Sequence, residues 1–454
     1  MSLVGKSLSV LLWAALAMIT NFSFNPGQDM VDSQKLMRIG IVGPLGTPDI
    51  EHLLDGDTSH LPREMKGASL LVTLIEALIR SGHEVVAFTT DPALEPRRQN
   101  RVIARGHQFT VHYVPRRRHS LRPDRGARGR MLDFFALERH ALTDAILEER
   151  PDVVHAHWSY EFGAAALDTG LPCLLTCHDS PWAILNMQRD LYRVGRLLMA
   201  KSVLRRTQHA TVVSPYLVGA LRGMTGASLS VVPNPLPDTV LEAGHPRSAP
   251  DFVTRLPQIA MLLNGWTSIK NPEPGMLAMK RVCDEYPGAK MHLYGPGFGP
   301  DERAWSWAVE HHMEEAFVFH GWTPYAQTMR ELAEMDILLH PALEESFGMT
   351  IAEAMGLGLP VVAGQNSGAV PWVLGAENGG GTLVDVRSPE EIAEALLEIL
   401  ADPALYASYS TQGRARASMH FSSSAVAQSY LEHYRQVLAG AGVVPAESPD
   451  EVTA

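Results

Sequence analysis

Cysteine is scarce in this 454-residue chain. Cys173, Cys177 and Cys283 form neither a zinc-ligand pattern nor a disulfide framework, so a reducing compartment is the simpler expectation, with Cys173 and Cys177 as strand packing. A basic excess is also missing. Lys and Arg number 38 against 50 Asp and Glu, a net charge of −12, which excludes a general binder of nucleic acid. No apolar run is long enough for a confident membrane span. Lys6 and the apolar residues 8–19 resemble the start of a signal peptide, but no small-residue cleavage site follows, and residues 37–42 read as the opening of a first strand. Residues 1–36 are therefore either upstream sequence from a misplaced start or a membrane tether. No G-x-G-x-x-G fingerprint is present. Asp55-Gly56-Asp57 sits in a loop and reads as a turn, so no metal is expected.

The 46% hydrophobic content suffices for two cores. From residue 37 strands and helices alternate: strand 38–43, helix 67–81, then strands 84–89, 109–114, 153–155, 174–176, 210–213 and 229–232. After a polar stretch the rhythm restarts with strands 258–263, 290–294, 317–320, 337–339 and 361–363. Such alternation predicts parallel, doubly wound sheets, with ligands at the carboxyl ends of the strands. The expected division is a first Rossmann-like domain over 37–236, a linker over 237–257, a second such domain over 258–420, a helix over 421–438 and a disordered tail over 439–454.

The most informative segment is 340–363, HPALEESFGMTIAEAMGLGLPVVA. It sets Glu345 and Glu353 either side of a tight Ser346-Phe347-Gly348 turn. Residues 347–350 open a helix, so the backbone N–H groups of Phe347, Gly348, Met349 and Thr350 make a ready site for a diphosphate. Glu353, just over a turn into that helix, would repel phosphate and suits a ribose diol instead. Glu345, before the turn, is placed to meet a sugar. Lys270 follows the first strand of the second domain in a loop that should face the cleft, where it can neutralise a diphosphate. Two strand ends in the first domain carry histidine: His155-Ala156-His157 and Thr176-Cys177-His178. His155 is expected to point into the packing, since strand neighbours alternate faces. Gly46, Gly67 and Gly295 permit close backbone approach to a donor.

The 340–363 segment resembles the E-x7-E donor signature of retaining glycosyltransferase family 4 (glycosyl transferases group 1), and the resemblance runs from about residue 37 to the 430s. It implies a GT-B fold: two Rossmann-like domains facing across a cleft, with a last helix, 423–438, crossing back to the first. It implies a metal-independent, hexosyltransferase-like enzyme without a cofactor, whose co-substrate is a nucleoside-diphosphate sugar. Glu345 would meet the transferred sugar, Glu353 the ribose, Lys270 the diphosphate, and His178 would lie beside the reacting sugar, with His157 a second choice. One departure stands out. Trp266 occupies the place where many members carry an arginine, so one of two diphosphate cations is missing. The rival readings are a GT-B phosphorylase, a sugar-nucleotide epimerase, or a non-catalytic sugar-nucleotide-binding subunit.

Residues 97–130 hold eleven arginines and one acid, Asp124, a local +10 that leaves −22 for the rest of the chain. This run is a solvated face, a grip on an anionic acceptor through Arg116, Arg117 and Arg118, or a dock for anionic lipid. The acceptor is expected to be a sugar, a lipid-linked molecule or another small molecule. The expected location is the cytoplasm, with peripheral placement at the inner face of a membrane.

Overall fold

The computed structural model describes residues 36–96, 101–123, 126–375 and 379–442. The expectations for residues 1–35 and 443–454, and for Arg97, Arg98, Asp124 and Arg125, lie outside it.

The first sheet contains β1 (Arg38–Val42), β2 (Glu84–Asp91), β3 (Val102–Gly106), β4 (Phe109–Pro115), β5 (Val153–His157), β6 (Cys173–Cys177), β7 (Ala210–Val212) and β8 (Leu229–Val231). Their order is β3-β4-β2-β1-β5-β6-β7-β8. The second sheet contains β9 (Gln258–Leu262), β10 (Lys290–Tyr294), β11 (Phe317–Gly321), β12 (Ile337–His340), β13 (Val361–Gly364) and β14 (Gly381–Val384), in the order β11-β10-β9-β12-β13-β14. Every pairing is parallel except β3 with β4. The doubly wound GT-B architecture is therefore present, with two strands the sequence did not disclose. The exposed Arg105 followed by a half-buried Gly106 hides β3, and the glycines at 379–381 hide β14.

Helices bury one stripe against each sheet. In Ser69–Arg80, Leu71, Leu74, Ile75 and Leu78 recur at helical spacing and are buried. The last helix, Ser423–Gly440, buries Val426, Tyr430, Leu431, Tyr434 and Val437 in the first domain's core, so it does cross back. Its first turn is pinned by Arg80, which reaches Ser423 Oγ at 3.0 Å and Asp238 at 2.7 Å. The chain changes domains where Leu236 N–H donates to Phe421 O (2.7 Å) beside the bridge between Leu236 and Ser422. Residues 237–257, expected to be a linker, are packed instead. They contain the helix Asp238–Ala243, and Arg247 donates to the carbonyls of Ala333, Met335 and Leu357. Polar residues and prolines read as linker there because their partners are backbone carbonyls remote in sequence.

No helix among the described residues is long and apolar enough to cross a membrane.

Candidate active site

The carboxyl ends of both sheets face a cavity of about 380 Å³. The first domain lines it with Trp158, His178, Asp179, Ile184, Met187 and Asn234, and the second with Lys270, His340, Glu344, Glu345, Ser346, Phe347, Gly348, Met349 and Thr350.

On the second domain, two loops are clasped together. Leu343 N–H donates to Ile269 O at 2.8 Å, and the Asn271 side-chain amide donates to Pro341 O and Val386 O. That clasp brings Lys270 Nζ to 2.5 Å from Glu345 Oε1, and His340 Nε2 to 3.1 Å from the same oxygen. Burial alone would raise the Glu345 carboxyl. The His340 and Lys270 interactions outweigh it and hold the group at about 2, so it is ionised throughout the neutral range. His340, at the end of β12, is a site residue the sequence reading overlooked, because a histidine before proline reads as a strand terminus.

The turn after Glu345 opens a helix beside the cavity and packs one side chain into the core. Gly348 takes φ +96°, a left-handed conformation that starts the helix Met349–Gly356, one to two residues later than predicted. The opening turn of that helix presents free N–H groups to the cavity through Met349 and Thr350. Phe347 belongs to the core by its ring, which is buried against Phe421 at 5.2 Å and Trp372 at 6.3 Å. Ser346 O accepts from Ser214 Oγ of the first domain at 2.6 Å, tying the domains together beside the cavity.

Glu353 does not line the cavity. It is buried and accepts a hydrogen bond from Tyr325 Oη at 3.0 Å. Burial raises its carboxyl from 4.5 to about 7, and the Tyr325 hydrogen bond only partly opposes this. A carboxyl whose pKa is raised on folding binds its proton more tightly in the folded state. Its contribution to stability is full below about pH 4.5 and is lost as pH climbs towards 7, by on the order of 3 kcal/mol. Thermal melts of the free protein between pH 5 and 8 should therefore show a falling Tm that is flattened in Glu353→Gln. Parallel pH slopes in the two proteins would remove Glu353 as the cause.

Facing these groups, His157 Nδ1 lies 2.9 Å from His178 Nε2. Burial pushes His178 down to about 3 and His157 well below its ordinary value, so both rings are neutral near pH 7. Each has one nitrogen without a partner, His157 Nε2 and His178 Nδ1. Either tautomer leaves one N–H outside the bond between the rings, and Asn234 beside His178 supplies an acceptor for that N–H only when His157 donates to His178. His178 then carries its proton on Nδ1 as a donor. Asn234 Oδ1, also unpaired, lies near enough to favour the charged ring. His155 is packed, as expected, for a different reason. Residues two apart on a strand share a face, and the His155 and His157 rings are 4.0 Å apart. The last helix covers His155, which hydrogen-bonds Tyr434 Oη and Thr176 Oγ1 at 2.7 Å each.

Asp179, the neighbour of His178, was also missed. It accepts from Tyr160 Oη at 2.9 Å, and burial lifts it to about 6.

The three glycines stand outside the cavity lining. Gly46 and Gly67 close on each other and on the Asp49 carboxylate: a Cβ at Gly67 would fall 2.5 Å from Gly46 N. Gly295 has φ +112° and lets β10 close on Leu263 O, 1.9 Å from where its Cβ would stand. Trp266 packs on Phe298 at 5.6 Å with the Arg303 guanidinium over its ring, and among the described lining residues Lys270 is the one lysine or arginine. Asp57 accepts from Ser59 in an exposed turn.

Three arginines of the basic run, Arg101, Arg117 and Arg118, pair with acids, which corrects the expectation for Arg117. That side chain is 1% exposed, donating to Glu138 at 2.6 and 3.0 Å and to Asp133 at 2.8 and 2.9 Å. Arg118 pairs with Glu64, Arg101 with Glu148, and Arg116 donates to Met65 Sδ. None of the three acceptor-side candidates Arg116, Arg117 and Arg118 lines the cavity.

Two sheets, parallel but for the β3–β4 pair, bring a cation, an ionised carboxylate and a helix start across from a histidine in a GT-B architecture. Comparison with known proteins agrees. Residues 67–239 match Glycosyltransferase Family 4, and residues 264–416 match Glycosyl transferases group 1. The chain belongs to this glycosyltransferase family. Arabidopsis thaliana sucrose-phosphate synthase 4 is 42% identical over 71 residues, 16% of this chain and 7% of that one. The 2-deoxystreptamine glucosyltransferase of Streptomyces kanamyceticus is 26% identical over 324 residues, 66% of this chain and 81% of the relative. The structure of sucrose-phosphate synthase from Thermosynechococcus elongatus superposes with a TM-score of 0.68 at 19% identity, covering 89% of this chain and 100% of that one, and so shares the fold. The chain thus spans only a small part of some curated relatives and most of others.

Proposed function

We propose that the protein transfers a sugar from a nucleoside diphosphate to an acceptor hydroxyl with retention of anomeric configuration. The observation that carries this reading is Lys270 paired with ionised Glu345 at the start of the helix Met349–Gly356, opposite His178 in one cavity. Lys270 and the first-turn N–H groups take the charge of the departing diphosphate, and Glu345 stabilises positive charge on the sugar. Held by two cationic or donor partners, Glu345 is a poor nucleophile. Front-face attack follows, in which the leaving phosphate accepts the acceptor's proton while His178 Nδ1–H binds a sugar hydroxyl. For the ribose diol to reach Glu353, which lies outside the cavity in the free protein, the Tyr325 hydroxyl must move off the buried carboxyl as the nucleotide binds. No cofactor enters this scheme, and the nucleotide sugar is the co-substrate.

Titration calorimetry and donor hydrolysis with UDP-, GDP- and ADP-sugars, each with and without EDTA, test it. Hydrolysis of one donor class that persists in EDTA is expected. Binding without turnover under any acceptor would instead favour a non-catalytic subunit. Glu353→Ala should weaken binding of the free nucleoside diphosphate by about 1.5–3 kcal/mol, whereas Glu345→Ala should lower turnover with affinity for that nucleotide little changed. Wild-type affinity and rate in both variants would dismiss the assignment.

A further inference from the structure

The helix Leu191–Arg206 leaves Leu191 82%, Val194 41% and Leu198 55% exposed. Spaced at i, i+3 and i+7, they share one face. Lys201 and Arg205, both exposed, continue that face at i+10 and i+14. The stripe does not end at the helix. Leu198 lines one groove with Phe134, which is also exposed, and Met187, at the end of the preceding helix Pro181–Met187, is exposed and lines the active-site cavity. Exposed apolar side chains thus recur from Met187 at the cavity to Leu191, Val194 and Leu198 on the helix, whose face ends in Lys201 and Arg205.

Isolated exposed leucines need no explanation, but three apolar side chains on one helix face that ends in two exposed cations do, with Asp190 confined to the far end of the helix. The helix Leu191–Arg206 has five basic residues and no acid; Arg196 pairs with Glu161 and Arg206 with Asp168, so Lys201 and Arg205 are the exposed cations that continue the apolar face. That sign decides the occupant. A two-fold contact between copies would set Lys201 and Arg205 against the same patch on the other copy, which like-charge repulsion opposes. An anionic bilayer receives both parts: leucine, valine and phenylalanine enter the headgroup boundary while lysine and arginine meet phosphate.

We propose that this face docks on an anionic phospholipid surface and so opens the cavity, through Met187, to an acceptor in or on the lipid layer. The inference extends the transfer reading to where the acceptor is met. It moves the lipid contact from residues 97–130, where Arg117 is buried and Arg101 and Arg118 are paired with acids, to the helix Leu191–Arg206.

Co-sedimentation of the full chain with phosphatidylcholine vesicles, with and without phosphatidylglycerol, tests the docking. Binding should require phosphatidylglycerol and fade as salt rises, since exposed charges are screened over about 8 Å at physiological ionic strength. Leu191→Ser with Val194→Ser and Leu198→Ser should lower the vesicle partition coefficient at least tenfold. Lys201→Glu with Arg205→Glu should do the same, and both variants should hydrolyse donor within about twofold of wild type. Three results would overturn the proposal: no wild-type binding to anionic vesicles; wild-type partitioning in both variants, which would move any binding to residues outside this face; or a wild-type dimer by light scattering that the serine variant converts to monomer, which would give the face to a second copy. Patch-dependent vesicle binding without donor hydrolysis would leave the docking standing and remove the transfer reading.

Discussion

Replacing Lys270 with alanine should lower kcat for sugar transfer by about 10²- to 10³-fold, the cost of losing one preorganised donor to developing negative charge. The effect should be large here because Lys270 is the one lysine or arginine among the described residues lining the cavity, Trp266 being packed away from it on Phe298. Glu345 would also lose a partner at 2.5 Å while still held by His340 at 3.1 Å. Its carboxyl should therefore rise from about 2 yet remain ionised at neutral pH. Single-turnover rates with a saturating donor measure the effect. A Lys270→Ala rate within threefold of wild type would shift the leaving-group role to the helix start alone. Lys270→Arg restores charge without a compact ammonium group and should recover only part of the rate.

Arg117→Ala should destabilise the first domain by about 3–5 kcal/mol, because it strands the Glu138 carboxylate, itself 1% exposed, without its cation. Arg118→Ala, which removes an exposed pair with Glu64, should cost less than about 1 kcal/mol. Denaturant unfolding distinguishes the two. Equal midpoints would mean that the buried cluster with Glu138 and Asp133 carries no more than the surface pair. Pairing Arg117→Met with Glu138→Met should recover much of the loss, since no charge then remains buried alone.

Arg117 also shows where sequence reading stops. Eleven arginines in 97–130 look like one patch when written in a line, yet the acids that neutralise several of them, Glu64, Glu138 and Glu148, come from other parts of the chain. Ion pairs between residues tens of positions apart leave no local signature. The same holds for His340 and Asp179, whose importance arises only when loops from separate crossovers meet.

What the sequence determined was local and periodic. Alternating buried strands and amphipathic helices specify two parallel sheets, because strand spacing and helix spacing each mark one face of their own element. The turn at Ser346-Phe347-Gly348 followed by Met349 specifies a helix start, because glycine alone accepts φ +96° there without strain. The tertiary structure decided which groups face one another. It set Lys270 on Glu345, His157 on His178 and Tyr325 on Glu353, because each pair spans a loop or crossover whose closure depends on how the sheets pack. It also decided what stays outside. The band Leu191, Val194 and Leu198 has the spacing of a core stripe, and only the absence of a packed neighbour over it among the described residues makes it a surface.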